Sequence, residues 1–372
     1  MGIELSIMRG RRDQVKTERE MVIGGRRIAD DEPAYVIAEI GHNHAGSMEK
    51  ARDMVETAKV AGASAVKFQT RHPRDVYSKA EFERTSDNPQ WMDPMYGRHR
   101  ELLEPSYEEW QGLFEQCHDI GIAAFSTPFD FKSADLLAQI GVPAFKIASG
   151  DATNIPLIEY VADFGKPMIV STGGCNERDV SRIYDALTRK NAEFAFLQCS
   201  CVYPCPPDVM DLNVIPTYRE TYPEIVTGLS THNPDTAPTL AAFTLGGRIF
   251  EHHYTNDQSW KGTDNHFSLT PVTMKKLVGD LGSIGKALGN GTKMQRPEEK
   301  TYTVERRKKL VAIRNIAKGK VIKQEDIGIL CPGDGIPPYE IDNIVGAVAL
   351  HDIPGDSDLR LSDVWASCCV EG

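Results

Sequence analysis

Ala65-Val66-Lys67-Phe68-Gln69 is a short apolar run that carries a lysine and an amide near its end. The same design returns at Ala144-Phe145-Lys146-Ile147. Runs of this length, bounded by turn residues, read as strands buried on both faces. Working outward, strand-like runs recur at 35–40, 65–69, 123–126, 144–147, 167–170, 194–197, 225–229 and 249–251. Amphipathic stretches lie between them. In 48–61, Met54, Val55, Ala58 and Ala61 fall at helical spacing; in 107–120, Trp110, Leu113, Phe114 and Cys117 share a face. Ser106 and Glu109 have the spacing of a capping box for the second helix. Eight strand–helix repeats in about 250 residues predict a closed (β/α)8 TIM barrel over 34–289. An open doubly wound sheet usually has fewer strands and often a glycine-rich dinucleotide turn, and none is found.

The alternation stops at Gly289-Asn290-Gly291. Residues 290–303 are polar and contain Pro297, which suits a linker. Residues 304–372 read as a small β-rich second domain, with short strand-like runs at 309–313, 321–322 and 344–350. Residues 1–33 form an N-terminal extension, and its early run Arg9-Gly10-Arg11-Arg12 is answered by Asp13, Glu18 and Glu20. The net charge of −11 and the absence of a basic stripe argue against a nucleic-acid partner. No stretch approaches the roughly 20 apolar residues of a membrane span, and no signal peptide is expected. The eight cysteines are scattered and do not outline a disulfide framework. Reduced thiols in a cytoplasmic protein are the simpler reading.

Barrel enzymes place their sites at the C-terminal ends of the strands. The polar residues there are Glu39, Lys67, Gln69, Ser126, Thr127, Lys146, Ser149, Asp151, Ser171, Thr172, Gln198, Tyr203, Ser230, His232, Glu251 and His253. Strand ends are wet in any case, so one such residue means little; agreement at eight ends means more. Lys67 and Lys146 suit a phosphate or carboxylate, and either could instead be a Schiff-base lysine. His232 and His253 follow adjacent strands and could hold a divalent metal. Cys199, Cys201 and Cys205 could form a soft-metal cluster, or be ordinary thiols. His42 and His44 lie in the first strand–helix loop, where they could serve the site or cap the next helix.

Together these residues resemble the sialic acid (N-acetylneuraminate) synthase family over nearly the whole chain. The resemblance rests on Ile37-Ala38-Glu39-Ile40-Gly41-His42-Asn43-His44-Ala45-Gly46, the run around Lys67, Phe125-Ser126-Thr127-Pro128-Phe129-Asp130, Lys146-Ile147-Ala148-Ser149-Gly150-Asp151 and Ser171-Thr172-Gly173-Gly174. The family's metal-binding stretches align with 228–232 and 251–255. Residues 304–372 resemble its antifreeze-like (SAF) domain, most clearly at Pro332-Gly333-Asp334-Gly335-Ile336-Pro337-Pro338. Tyr96-Gly97-Arg98-His99-Arg100 and Trp260-Lys261-Gly262-Thr263-Asp264 look closer to the branch with the animal 9-phosphate synthases. The resemblance implies condensation of phosphoenolpyruvate with an amino-sugar aldehyde to a nonulosonic acid, with release of phosphate. It implies a divalent ion, Mn2+ or Mg2+, on His232 and His253. It implies that Lys67, Thr127, Lys146, Ser149, Ser171 and Ser230 hold phosphoenolpyruvate, and that Glu39 handles water or a sugar hydroxyl. Gln69, Asp151, Tyr203 and Asp264 match acceptor-side positions. The implied assembly is a domain-swapped homodimer.

Four positions depart from the family pattern. Cys331 stands where many bacterial members carry an arginine that reaches the sugar's N-acyl group, and the animal branch departs here too. Asp151 replaces a usual Glu. Asp264-Asn265-His266 replaces Asp-His, and His252 replaces a usual Lys. The last two lie beside the metal stretch and could reshape acceptor binding. The alternatives are a synthase for N-acetylmannosamine 6-phosphate or a bacillosamine-derived sugar, a barrel hydrolase, a Schiff-base aldolase, and an inactive carbohydrate-binding scaffold.

Overall fold

A computed structural model describes residues 19–365. The chain divides into two compact units, with the boundary after Gly289. The run Arg9-Gly10-Arg11-Arg12 lies outside the described residues.

The first unit opens with a hairpin, β1 (Glu20–Ile23) and β2 (Arg26–Ala29), paired antiparallel. Eight parallel strands follow: β3 (Tyr35–Gly41), β4 (Ala65–Thr70), β5 (Ala123–Pro128), β6 (Phe145–Ile147), β7 (Met168–Ser171), β8 (Phe194–Cys199), β9 (Val226–Thr231) and β10 (Ile249–His253). They close in the order β10-β3-β4-β5-β6-β7-β8-β9. This is the (β/α)8 barrel the runs predict. Each expected strand is present, with ends within a few residues of those expected. The strands are almost wholly buried, because helices cover the outside and side chains fill the inside.

Local chemistry accounts for the helices. Helix Met48–Ala61 buries Met54, Val55, Ala58 and Ala61; Ser47 caps its start and Gly62 ends it at φ +89°. Helix Tyr107–Asp119 has the expected capping box: Ser106 Oγ accepts from the Glu109 amide (3.2 Å), and Glu109 accepts from the Ser106 amide (2.8 Å). At Gly228, a side chain would fall on the carbonyl of Ile249, its partner on β10, so only glycine permits the close approach of these two strands.

Residues 20–29, read from the sequence as part of an extension, pack into the barrel. Met21, Ile23 and Ile28 are at most 1% exposed and belong to its apolar core. The hairpin turn at Gly24 lies against Ala123 and Pro143, at the N-terminal ends of β5 and β6. It therefore covers the end opposite the mouth where the polar residues gather.

In the second unit, β11 (Lys309–Ala312) pairs antiparallel with β12 (Ile327–Leu330) and β14 (Ser357–Asp358). Strands β13 (Val348–Ala349) and β15 (Val364–Trp365) form a second small ladder. Its own core includes Leu310, Ala312, Ile322, Ile344, Ala349 and Leu359. The run 344–350 is not one strand. Ile341–Ile344 is a helical turn, Gly346 reverses the chain at φ +88°, and only Val348–Ala349 is extended. Val321 makes a single bridge to Val348. The stretch read as a linker is partly helical, with Pro297–Glu299 leading into Lys300–Arg306. Among the described residues, no helix is long and apolar enough to cross a membrane.

Candidate active site

The C-terminal mouth of the barrel encloses a cavity of about 450 Å³. A larger one, about 690 Å³, lies at the opposite end, beside the helix Tyr107–Asp119 and the hairpin turn. The chemistry belongs to the smaller cavity, because there the charged groups of many strands converge.

Glu39, Lys67, Gln69, Thr127, Lys146, Ser149, Ser171, Tyr203, Ser230, His232, His253 and Asp264 all line it. Asp151 does not. It sits in the turn Ser149–Asp151, where Asn154 donates to its carboxylate at 3.1 Å.

Two ammonium groups form the floor. Lys67 Nζ lies 2.8 Å from Glu39 Oε2 and donates to Thr127 Oγ1 at 2.9 Å. Lys146 Nζ donates to Ser171 Oγ (2.7 Å) and to the Ile147 carbonyl (3.0 Å), and lies 3.9 Å from Glu251 Oε1. Ser230 Oγ donates to the same Glu251 oxygen at 3.1 Å. Burial raises the pKa of Glu39 against the pull of Lys67. Burial also pushes Glu251 up, but Lys146 and Lys67 outweigh it and hold that carboxylate down. Desolvation lowers Lys146. Gln69 Nε2 donates to Glu39 Oε1 at 2.9 Å. Gly41, at φ +52°, leaves this contact room, since a side chain there would come within 3.0 Å of Glu39 Oε1.

One wall carries two imidazoles, His232 and His253, with ring centroids 5.4 Å apart. His232 Nδ1 lies 3.1 Å from the Ser200 carbonyl. A carbonyl only accepts, so Nδ1 holds the proton and Nε2 keeps its lone pair. Burial, then His253, lowers the His232 pKa to about 4, so the ring is neutral near pH 7. His253 Nδ1 is buried without a hydrogen bond, and Asp264 Oδ2 is 3.7 Å from it. The two rings, one oriented by a carbonyl and one with an orphaned nitrogen, fit a divalent ion. Tyr203 covers His232, its ring centroid 3.7 Å away.

The remaining histidines and the cysteines have other places. His42 Nε2 meets Glu104 Oε1 at 3.1 Å, and His44 Nδ1 accepts from the Gly46 amide at 3.2 Å. Neither caps the helix that follows, and neither lines the 450 Å³ mouth cavity. His252 alternates away from the mouth and meets Thr239 Oγ1 at 2.7 Å in the helix layer, so it does not reach an acceptor there. Asn265 is buried and bonded by Thr255, while His266 is exposed. The three cysteines do not assemble a soft-metal cluster. Among the described residues, only His72, Asp75 and Asp130 bring three ligand atoms within 4.8 Å of one another. The six described cysteines are free.

The sequence reading missed Arg71, Tyr77 and Arg100, which also line the mouth, and gave Glu251 no role. Arg71 had a signal: it continues the alternation of Lys67 and Gln69. Arg100 comes from the helix Tyr96–Glu101, in the long excursion between β4 and the helix that precedes β5.

This arrangement is that of a barrel-enzyme site, with a floor of paired ammonium and carboxylate groups suited to a small anion and a wall suited to a metal. The chain belongs to the NeuB family, whose model matches residues 54–293; a SAF domain model matches residues 307–364. It is 32% identical to the human N-acetylneuraminate-9-phosphate synthase over 90% of this chain and 94% of that one. It is 33% identical to the N,N'-diacetyllegionaminic acid synthase of Legionella pneumophila, over 84% and 89% respectively. Among solved structures, an N-acetylneuraminic acid (sialic acid) synthetase from Leptospira borgpetersenii, in complex with citrate, superposes with a TM-score of 0.68. That likeness has 30% identity and covers 77% of this chain and 95% of that one.

Proposed function

We propose that the protein condenses phosphoenolpyruvate with an amino-sugar aldehyde, N-acetylmannosamine or a relative, to give a sialic acid-type nonulosonic acid and phosphate. The observation that carries this reading is the convergence of Lys67, Lys146, His232 and His253 on one cavity in a NeuB-family chain.

Lys67 and Lys146, with the hydroxyls of Thr127, Ser171 and Ser230, suit the phosphate and carboxylate of phosphoenolpyruvate. The new bond joins C3 of phosphoenolpyruvate to the aldehyde carbon, water adds at C2, and phosphate leaves with its bridging oxygen. His232 and His253 would hold a divalent ion, which would supply Lewis acidity for the aldehyde. Glu39, buried and raised in pKa, suits a group that takes a proton from water or a hydroxyl, with Lys67 orienting it. Tyr203 lies beside His232 and Asp264 beside His253, which suits them to the acceptor.

The relatives do not single out the acceptor, since two at 32% and 33% identity carry names for different products. The test is phosphate release from phosphoenolpyruvate with a panel of 2-acetamido sugar aldehydes. Turnover is expected with at least one, and no lysine adduct after borohydride treatment with pyruvate. A trapped Lys67 or Lys146 would establish the Schiff-base aldolase in its place.

We further propose that the SAF unit serves the barrel of a second copy. Where the bacterial arginine is absent, Cys331 is exposed, with Sγ against the Arg306 carbonyl at 3.4 Å. The cap then acts by shape and desolvation rather than by a charged contact. Sedimentation should give a mass near twice 41.2 kDa; a fully active monomer would refute the swap.

A further inference from the structure

Two of the cysteines that form no metal cluster share one side of the mouth. Cys199 ends β8, and Cys201 follows it with Ser200 between them. Both cysteines line the 450 Å³ cavity. In extended chain, residues two apart point the same way. Ser200, between them, turns elsewhere, and its Oγ donates to the Val209 carbonyl at 2.6 Å. Cys199 is buried and Cys201 is exposed. The Cys201 sulfur packs against the turn after β7, where a Cβ placed on Gly173 would come within 2.5 Å of it and 2.8 Å of Ser149 Oγ. The two thiols are in hydrogen-bond contact with each other and with Ser149. The bond from Cys199, then Ser149 and Lys146, holds the Cys201 thiol below its ordinary value against the effect of burial. The same bond pushes Cys199 up. Cys201 is thus a nucleophile open to the cavity with a second thiol in reach.

The residue that separates the pair also holds the wall of imidazoles. The Ser200 carbonyl is the acceptor for His232 Nδ1 at 3.1 Å. A bond from Cys199 to Cys201 closes across that single residue. Two residues apart, Cα atoms in extended chain are roughly 7 Å apart, and disulfides bridge at most about 6.8 Å. Closing the bond therefore draws in the backbone at Ser200 and shifts its carbonyl.

We propose that Cys201 is a site of covalent oxidation by peroxides, that Cys199 is its resolving thiol, and that the bond they form disengages His232. The Cys201 thiolate attacks one peroxide oxygen, and the O–O bond breaks. The second oxygen leaves with the proton that Cys201 gave up, and the sulfur is oxidised to a sulfenic acid. Cys199 then attacks that sulfur; the S–O bond breaks, water leaves and the S–S bond forms. With hydrogen peroxide, two thiols are oxidised and one peroxide is reduced to two waters. Once Cys201 is oxidised, its charge no longer holds the Cys199 proton, and Lys146 favours the Cys199 thiolate. The oxidation stands on the thiols alone; its effect on turnover rests on the condensation proposed above.

The test treats the reduced full-length protein with hydrogen peroxide, blocks the remaining thiols with iodoacetamide and digests with trypsin. Cys199, Cys201 and Cys205 share the peptide 191–219, and Cys175 falls in another. The peptide 191–219 should lose two hydrogens, placed between residues 199 and 201 by fragmentation. Manganese binding, read by electron paramagnetic resonance, should weaken about 10- to 100-fold, the scale of losing an orienting bond on a metal-bound imidazole, and turnover should fall at least about tenfold. Dithiothreitol should restore both. Cys201→Ser, compared with its own untreated activity, should keep its turnover under the same dose. Cys199→Ser should accumulate a sulfenic acid on Cys201, trapped by dimedone. A bond from Cys201 to Cys175 or Cys205, or an unmodified Cys201, would overturn the assignment. A mapped bond between Cys199 and Cys201 with manganese binding unchanged would overturn the disengagement of His232. No turnover of the reduced protein with any acceptor would overturn the condensation, and the peptide map would still decide the oxidation site.

Discussion

His232→Ala and His253→Ala are each expected to lower the condensation rate about a thousandfold while the barrel stays folded. A Lewis acid at a reacting carbonyl contributes several kcal/mol to transition-state stabilisation, and about 4 kcal/mol corresponds to that factor. A proposed site with two protein ligands would have little redundancy. The arrangement around the rings supports this. Ser200 orients His232 through Nδ1, leaving the Nε2 lone pair for the proposed ion, and His253 Nδ1 is a buried nitrogen without a hydrogen bond. Manganese binding, read by the electron paramagnetic resonance signal of the free ion, should weaken in step with activity. His252→Ala is the control, because that ring bonds Thr239 on the opposite face of β10. It should lower the melting temperature without weakening manganese binding. Full turnover of either His232→Ala or His253→Ala in a chelator-treated, metal-limited assay would remove these residues from the metal site.

The barrel was legible because its signal is carried by spacing. Strands buried on both faces must be short apolar runs, and the covering helices must be amphipathic, so the alternation survives in one sequence. The site was legible for a related reason: a lysine such as Lys146, 2% exposed in the structure, is out of place in an apolar run unless it has work to do. Other parts carried weaker signals. The hairpin β1–β2 is only four residues a side, and its role depends on tertiary packing of Met21, Ile23 and Ile28. In the second unit, Gly346 breaks a continuous apolar run into a helical turn and a two-residue strand. Periodicity cannot register such a break. His252 shows the converse. Next to a site residue in sequence, it faces the helix layer because neighbouring strand residues point to opposite faces. Arg100 reaches the mouth from an excursion whose path the strand pattern does not constrain.

Lys67→Ala and Lys146→Ala should act mainly on phosphoenolpyruvate. Each loss removes a charge-assisted contact to a phosphate or carboxylate, on the order of 1.5–3 kcal/mol, so kcat/KM should fall at least about tenfold. Both lysines also balance buried carboxylates, and their losses should differ in kind. Lys67 is 2.8 Å from Glu39, whose pKa burial already raises. Without Lys67, Glu39 can take up a proton, which limits the cost to stability but removes the base near the floor. Lys67→Ala should therefore lower kcat as well as raise KM for phosphoenolpyruvate. Lys146 instead holds Glu251 charged. Its removal strips that buried carboxylate of its strongest opposing charge, leaving the weaker pull of Lys67 and His253 and the Ser230 hydrogen bond, and a poorly paired buried charge is costly. Lys146→Ala should show the larger drop in melting temperature of the two. Raising the pH from 6 to 8 should deepen that drop, because the proton that would neutralise Glu251 becomes less available. Lys146→Met, close in size and also uncharged, should behave as Lys146→Ala does, separating charge from volume. A rise in KM for the sugar alone, with phosphoenolpyruvate kinetics intact, would show that the two lysines do not form the phosphoenolpyruvate floor.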